Sequence, residues 1–457
     1  MRPTLALDAR CRAAARHRSH PRLAAGLIAA SCSAVVLPLG TADAATLAQT
    51  KARLKSQVAA LPGSTSVFIR EAATQTVLGS RTPSTRRIPA SVTKLFTTST
   101  ALLQDGPTAT LATELRASGE IDADGVLQGD LIVKGAGDPS FSTAGVDALA
   151  EAAKDAGIVR IAGTLRADLG TWTTQQGTPL TRGRYNGEIG GRLGALVVAR
   201  GFASASVTDP SRQVLVRLRD ALKAGGLKGN VTFGSALRTS TGSTLLGTVK
   251  SPTIFQLISA TNQPSDNFYA EELLRGVGAR HGAGGTTAAG LAVERAHLRT
   301  LGVNARLVDG SGLARGNRVA PSSIVRLLDQ MASRTEGGQF RASLALAGAT
   351  GTLASRMRGT AASGRCRAKT GTLSNVSALA GWCTTMGGRN VAFAILQNKV
   401  NVATARSRQD AIAATIAGWS DKPVADLVTP VPSPSNGPTS TTPAGTSPAA
   451  GGGALAR

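Results

Sequence analysis

Aromatic side chains make up only 3% of this chain, and histidine occurs just four times in 457 residues. The first scarcity argues against base-stacking recognition of nucleic acid, which relies on aromatic platforms. The second argues against histidine chemistry. His17 and His20 fall in the basic leader, leaving His281 and His297 in an arginine-rich helical stretch, away from any serine motif and read as surface residues. A Ser-His-Asp triad is therefore not expected. No His/Cys/Asp group has metal-ligand spacing, so neither a metal nor another cofactor is expected. Acidic residues are outnumbered 27 to 51 by basic ones, a formal charge of +24. That excess invites a nucleic-acid reading, but no zinc-finger or aromatic-basic motif accompanies it, and no nucleic-acid partner is expected. Attraction to an anionic envelope and a general arginine-rich composition explain it equally well.

Long apolar runs are also scarce, and the most prominent lies at the start. Six arginines occur within the first 22 residues; Leu23 to Leu39 is apolar, and Ala42-Asp43-Ala44 follows. This pattern reads as a secretory signal peptide over 1–44, cleaved before Ala45. The run is shorter than the roughly 20 residues that span a bilayer and contains Pro38, which disfavours a retained anchor; membrane attachment is expected only if the leader stays. Removing the leader's arginines and aspartates leaves +20. Of four cysteines, Cys11 and Cys32 leave with it, so Cys366 and Cys383 remain. In an exported, extracytoplasmic protein such a pair predicts a disulfide. Both lie in strand-like segments, Arg365 to Gly371 and Ser377 to Thr384, with Ser374-Asn375 as the turn; pairing 373 with 376 sets 366 opposite 383. Two unpaired buried thiols are the alternative.

Along the chain, Leu54 to Leu61 predicts a short helix, and Ser66 to Arg70 with Thr76 to Leu78 a hairpin. A helix then begins at Ser91. From 106 to 250 the pattern changes to short β-like pieces (Gly129 to Lys134, Arg160 to Leu165, Ala195 to Val198) with helical pieces at Val146 to Ala156 and Ser211 to Ala224. Helical spacing returns at Pro252 to Ile258 and Phe268 to Leu274. Strands follow at Arg365 to Thr370, Ala378 to Cys383 and Asn390 to Leu396, then a helix from Ala403 to Trp419. This predicts one discontinuous domain, 45–105 with 251–420, around an inserted domain, 106–250. The segment 421–457 is rich in Pro, Ser, Thr, Gly and Ala and cannot bury a core; it reads as a disordered tail.

Three short strings carry the chemistry: Ser91-Val92-Thr93-Lys94, Ser265-Asp266-Asn267 and Lys369-Thr370-Gly371. Of eleven lysines, only Lys94 has a serine three residues earlier, which places both on one helix face. A serine hydroxyl needs a base to take its proton. Lysine serves if its pKa falls, through burial or nearby positive charge; the helix amino end and Lys369 are expected to provide the charge. Carbonyl attack also needs an oxyanion site, for which the N–H groups of Ser91 and Thr372 are the candidates. Gly371 would clear space for substrate at the strand edge, while Lys369, Thr370 and Thr372 would hold a substrate carboxylate.

With these motifs in this order, the stretch from Thr46 to Trp419 resembles the D-alanyl-D-alanine carboxypeptidase/endopeptidases of peptidase family S13, the low-molecular-mass class C penicillin-binding proteins. The segments from Gly129 to Pro139 and Asp309-Gly310-Ser311-Gly312-Leu313 share that resemblance. So does the gap of 171 residues between the first two motifs, too long for a compact β-lactamase. The resemblance implies an α/β (α+β) transpeptidase fold of the penicillin-binding-protein/β-lactamase type, an antiparallel sheet flanked by helices, with a large mixed insert. It implies Ser91 as the acylated nucleophile, Lys94 as its base and Ser265 as the proton relay to leaving D-alanine. Asn267 would bond the substrate amide, and Lys369 and Thr370 would bind its carboxylate. The implied partners are peptidoglycan stem peptides and, covalently, β-lactam antibiotics. No Glu-x-x-Leu-Asn segment follows Ser265, so fast antibiotic hydrolysis is not expected. A β-lactamase or esterase of the same fold and a non-catalytic wall-binding scaffold are the alternatives.

Overall fold

The computed structural model describes residues 45–203 and 206–422. The leader assigned to 1–44 and the tail beyond 422 lie outside the described residues.

Thr46 and Gln49 form a reciprocal capping box that starts α1 (Leu47–Ala59) well before the apolar spacing of Leu54 to Leu61 would suggest. The hairpin β1 (Thr65–Glu71) and β2 (Val77–Arg81) follows. A 3-10 turn, Ala90–Thr93, then runs directly into α2 (Lys94–Asp105). Next come β3 (Ala112–Ala117), β4 (Leu131–Lys134), α3 (Thr143–Asp155), β5 (Thr164–Asp168), α4 (Pro210–Ala224), β6 (Thr232–Phe233) and β7 (Thr244–Lys250). The chain continues through α5 (Ile254–Asn262), α6 (Asn267–His281), α7 (Thr287–Thr300) and α8 (Pro321–Ala332). It closes with β8 (Ala345–Leu346), β9 (Cys366–Leu373), β10 (Val376–Thr384), β11 (Asn390–Asn398) and α9 (Val402–Ala417).

Two sheets result. The first is antiparallel throughout, in the order β8-β9-β10-β11-β1-β2, so the first hairpin completes a sheet begun by the last strands. Strand alternation makes it a central layer buried on both sides. From β10, Ala378, Ala380 and Trp382 face Leu95 and Phe96 of α2 and Leu328 of α8. Leu379 and Cys383 face Leu54 of α1 and Ile412 of α9. The second sheet runs β6-β5-β4-β3-β7. Its parallel pairs β4–β5 and β5–β6 need crossovers, which contain α3 and α4; both helices pack into this sheet's own core through Val146, Leu149, Val214 and Leu218.

Cys366 pairs with Cys383 and Leu373 with Val376 in the β9–β10 ladder, and the two cysteines are joined, S–S 2.00 Å. Two expectations need correction. Ala195 to Val198 is not a strand but a buried loop; a short apolar run signals burial without specifying geometry. The ordered chain also reaches past 420, because Asp421 accepts hydrogen bonds from the Leu47 amide (2.7 Å) and the Trp419 indole (3.1 Å).

Candidate active site

Ser91 stands in the 3-10 turn Ala90–Thr93, directly after Ala90, a residue held at φ 48°. Being at the start of that turn, its N–H has no partner within it. Lys94, one turn on, is fully buried, and its Nζ lies 3.1 Å from Ser91 Oγ, 2.7 Å from Asn267 Oδ1 and 2.6 Å from the Ser311 carbonyl. Burial lowers its pKa to about 8 against the opposing pull of Asp309, Glu271 and Asp266. Desolvation, rather than the helix end or Lys369, is thus the main cause. The three partners suit a neutral amine well. Two N–H bonds go to Asn267 Oδ1 and Ser311 O, and the lone pair is left for the Ser91 hydroxyl proton.

The Ser311 carbonyl is placed by a buried loop that carboxylates hold from inside. Asp309 accepts from the amides of Gly312 (2.9 Å) and Ala314 (2.6 Å) and from Asn317 Nδ2 (2.7 Å). Glu271, on α6, accepts from the amides of Gly310 (3.0 Å) and Ser311 (2.8 Å). Burial and the neighbouring Asp309 raise the Glu271 pKa to about 7. Gly312, at φ 88°, packs so tightly on the nucleophile turn that a Cβ there would sit 2.1 Å from the Ala90 carbonyl oxygen.

The second motif bridges α5 and α6. Ser265 adopts φ 67°, a left-handed conformation unusual for serine. Asp266 caps α6 by accepting from the Tyr269 amide (3.0 Å) and pairs with Arg200, a positional role rather than a chemical one. Asn267 engages the protein at both ends, with Oδ1 on Lys94 and Nδ2 donating to the Glu188 carbonyl at 2.8 Å.

Alternation along β9 divides the third motif between two faces. Lys369, opposite Ala380, lies on the α2 side, fully buried, with Nζ donating to the Thr370 carbonyl at 3.0 Å. Burial, and secondarily Lys94, hold its pKa well below the usual lysine value. Thr370 and Thr372 take the other face, where Thr370 donates to Thr352 Oγ1 (2.8 Å) and Thr372 accepts from Arg406 (3.1 Å). Gly371 also has a purpose within the protein. A Cβ there would lie 2.4 Å from the Pro89 carbonyl oxygen and 3.2 Å from the Ser91 nitrogen, so glycine admits the nucleophile turn.

Ser91, Ser265, Asn267, Thr370 and Thr372 line one cavity of about 510 Å³. Lys94 sits beneath Ser91, and Lys369 is not among the lining residues. Arg356 and Arg406, which no sequence motif flagged, do line it. Arg356 is held by Asp410 at 2.7 Å. Neither histidine lines the cavity: His281 contacts Asp105 at 2.7 Å, and His297 is half-buried rather than on the surface.

A serine hydroxyl set on a buried low-pKa amine, against the edge of an antiparallel sheet packed with helices, defines a serine acyl hydrolase of the penicillin-binding type. The chain belongs to the D-Ala-D-Ala carboxypeptidase 3 (S13) family, whose model matches residues 47–181 and 189–419. It is 30% identical over 446 residues to a D-alanyl-D-alanine carboxypeptidase of an Actinomadura species, covering 79% of this chain and 82% of that one. It is also 30% identical over 363 residues to the carboxypeptidase DacB of Mycolicibacterium smegmatis, with 72% and 75% covered. In fold it is similar to penicillin binding protein 4 of Haemophilus influenzae, with a TM-score of 0.67 at 21% identity over 80% of this chain and 97% of that one.

Proposed function

We propose that this D-Ala-D-Ala carboxypeptidase acts on bacterial peptidoglycan stem peptides through an acyl-Ser91 intermediate. The observation that carries the reading is the Lys94 amine, fully buried and 3.1 Å from Ser91 Oγ, with a pKa of about 8. Neutral Lys94 takes the hydroxyl proton as Ser91 attacks the carbonyl of the penultimate residue. The N–H groups of Ser91 and Thr372 receive the oxyanion, and Ser265 passes a proton to the leaving amine. Water then repeats the sequence against the acyl-enzyme. Asn267 orients the substrate amide once its bond to the Glu188 carbonyl is exchanged. The same chemistry opens a β-lactam ring and leaves a penicilloyl ester on Ser91. The only carboxylate lining the cavity among the described residues, Asp410, is committed to Arg356. No free carboxylate is therefore poised to hydrolyse that ester quickly.

Action outside the cytoplasm is part of the proposal, supported by the leader pattern and the Cys366–Cys383 bond. So is the division into a catalytic domain, 45–105 with 251–420, and an inserted domain, 106–250, each with a sheet and core of its own. The test is intact-protein mass spectrometry of the mature chain after incubation with benzylpenicillin, repeated on Ser91→Ala. A long-lived adduct lost in the variant is expected. An adduct that turns over within seconds would make the protein a β-lactamase, and a folded protein with no adduct would leave a scaffold.

A further inference from the structure

The cavity needs a cation for a substrate carboxylate, and the lysine expected to supply it does not reach the cavity surface. Lys369 is fully buried, faces α2, and spends a hydrogen on the Thr370 carbonyl. Two arginines line the cavity instead, and they are not equivalent. Arg356 is already neutralised. Its Nε and Nη2 reach the two oxygens of Asp410, and Nη2 also meets Gln409 Oε1 at 3.2 Å and the Arg406 carbonyl at 3.3 Å. Those bonds clamp the early turns of α9 to the segment below it. Arg406 is the opposite case: exposed, with no carboxylate within ion-pair distance among the described residues, its Nη2 resting on Thr372 Oγ1 at 3.1 Å. Asp410, the acid one turn along the same helix, is occupied by Arg356.

We propose that Arg406 reads the free carboxylate of the leaving residue, holding it between its guanidinium and the Thr372 hydroxyl, with Thr370 joining once its proton turns from Thr352 to the carboxylate. This rests on the reading of the chain as a D-Ala-D-Ala peptidase and adds the residue that sets its substrate class: acyl donors whose leaving amine carries an adjacent carboxylate. The three groups are arranged for it. Thr372 already touches the guanidinium, Thr370 stands two residues away on the same face of β9, and Thr352 fixes the Thr370 hydroxyl at 2.8 Å. A planar guanidinium matches a carboxylate with two parallel hydrogen bonds, which an ammonium does not.

The test compares an N-acylated peptide ending in D-Ala-D-Ala with its C-terminal amide, for wild type, Arg406→Ala, Arg406→Lys and Arg408→Ala. Arg408 is exposed on the same helix, does not line the cavity, and controls for loss of general positive charge. Arg406→Ala is expected to lower kcat/KM on the free acid about 30-fold, mostly through KM, and on the amide less than about threefold. Arg406→Lys should recover part of the loss, and Arg408→Ala should match wild type on both. Equal losses on acid and amide, or an unchanged acid preference in Arg406→Ala, would overturn the assignment. A wild-type protein that neither cleaves the acid nor takes up penicillin would instead remove the peptidase reading beneath it.

Discussion

Gly371→Ala tests whether the nucleophile turn and β9 are set against each other as the structure shows. The added methyl carbon would lie 2.4 Å from the Pro89 carbonyl oxygen and 3.2 Å from both the Ser91 nitrogen and Ala378 Cβ. A carbon needs over 3 Å from an oxygen, so the shortfall is roughly 1 Å. None of these atoms belongs to the far end of a flexible side chain. The strand is tied along its length to β10 and by the disulfide, so the turn is what yields. Displacing a reacting group by about 1 Å costs on the order of 100-fold in rate, whereas overpacking costs about 1–3 kcal/mol in stability. The variant should therefore fold, with a lowered unfolding midpoint, and form the benzylpenicillin adduct about 100-fold more slowly. Time-resolved intact-mass measurement gives the rate, and thermal unfolding by circular dichroism verifies the fold. A folded variant acylating within threefold of wild type would refute the claim that this contact positions Ser91.

The acylation rate should rise with pH. Lys94 accepts a proton only when neutral, and with a pKa of about 8 its reactive form at pH 6 is about 100-fold scarcer than on the alkaline plateau. A flat rate between pH 6 and 9 would rule Lys94 out as the base. Replacing Cys366 and Cys383 together by serine opens a bridge of sequence separation 17 and should cost about 3 kcal/mol of stability in the chain-entropy account. Denaturant titration measures that loss. The acylation rate should change little, because the bridge lies on the α9 face of the sheet, opposite Lys94.

The chemistry was most legible where it is local. Ser91 and Lys94 share one helical turn, a spacing that survives any tertiary arrangement, and the 373–376 turn sets the cysteine register by counting alone. What depends on facing partners was hidden. Two-residue alternation sends Lys369 and Thr370 to opposite sides of β9, but only the packed molecule shows that the cavity lies on the threonine side. Arg356 and Asp410 meet across 54 positions of chain, with no motif to announce them. The buried acids were hidden for another reason. Glu271, Glu272 and Glu294 sit in helices that also carry arginines, and charged residues are rarely buried; all three nevertheless lie in the interior. In the sequence only family resemblance points to Asp309 and Ser311; the hydrogen bonds give their purpose, holding a carbonyl against Lys94.

That interior acidity explains why Lys94 is depressed only to about 8. A fully buried amine in apolar surroundings loses far more, down to about 5–6. Here Asp309, Glu271 and Asp266 pull the other way, though the last two do not do so freely. Asp266 is paired with Arg200. Glu271, raised to about 7 by burial and by Asp309, exerts only part of its charge at neutral pH. As pH rises Glu271 ionises, strengthening the field that keeps the lysine protonated. The amine and the acid beneath it therefore titrate as a linked set, and the proton leaving Lys94 is governed by the set rather than by the lysine alone. It follows that neutralising Glu271 would ease deprotonation of Lys94 while also weakening the acceptor that holds the Gly310 and Ser311 amides. Glu271 and Asp309 thus both hold the loop that steers the amine and contribute to the charge that tunes it.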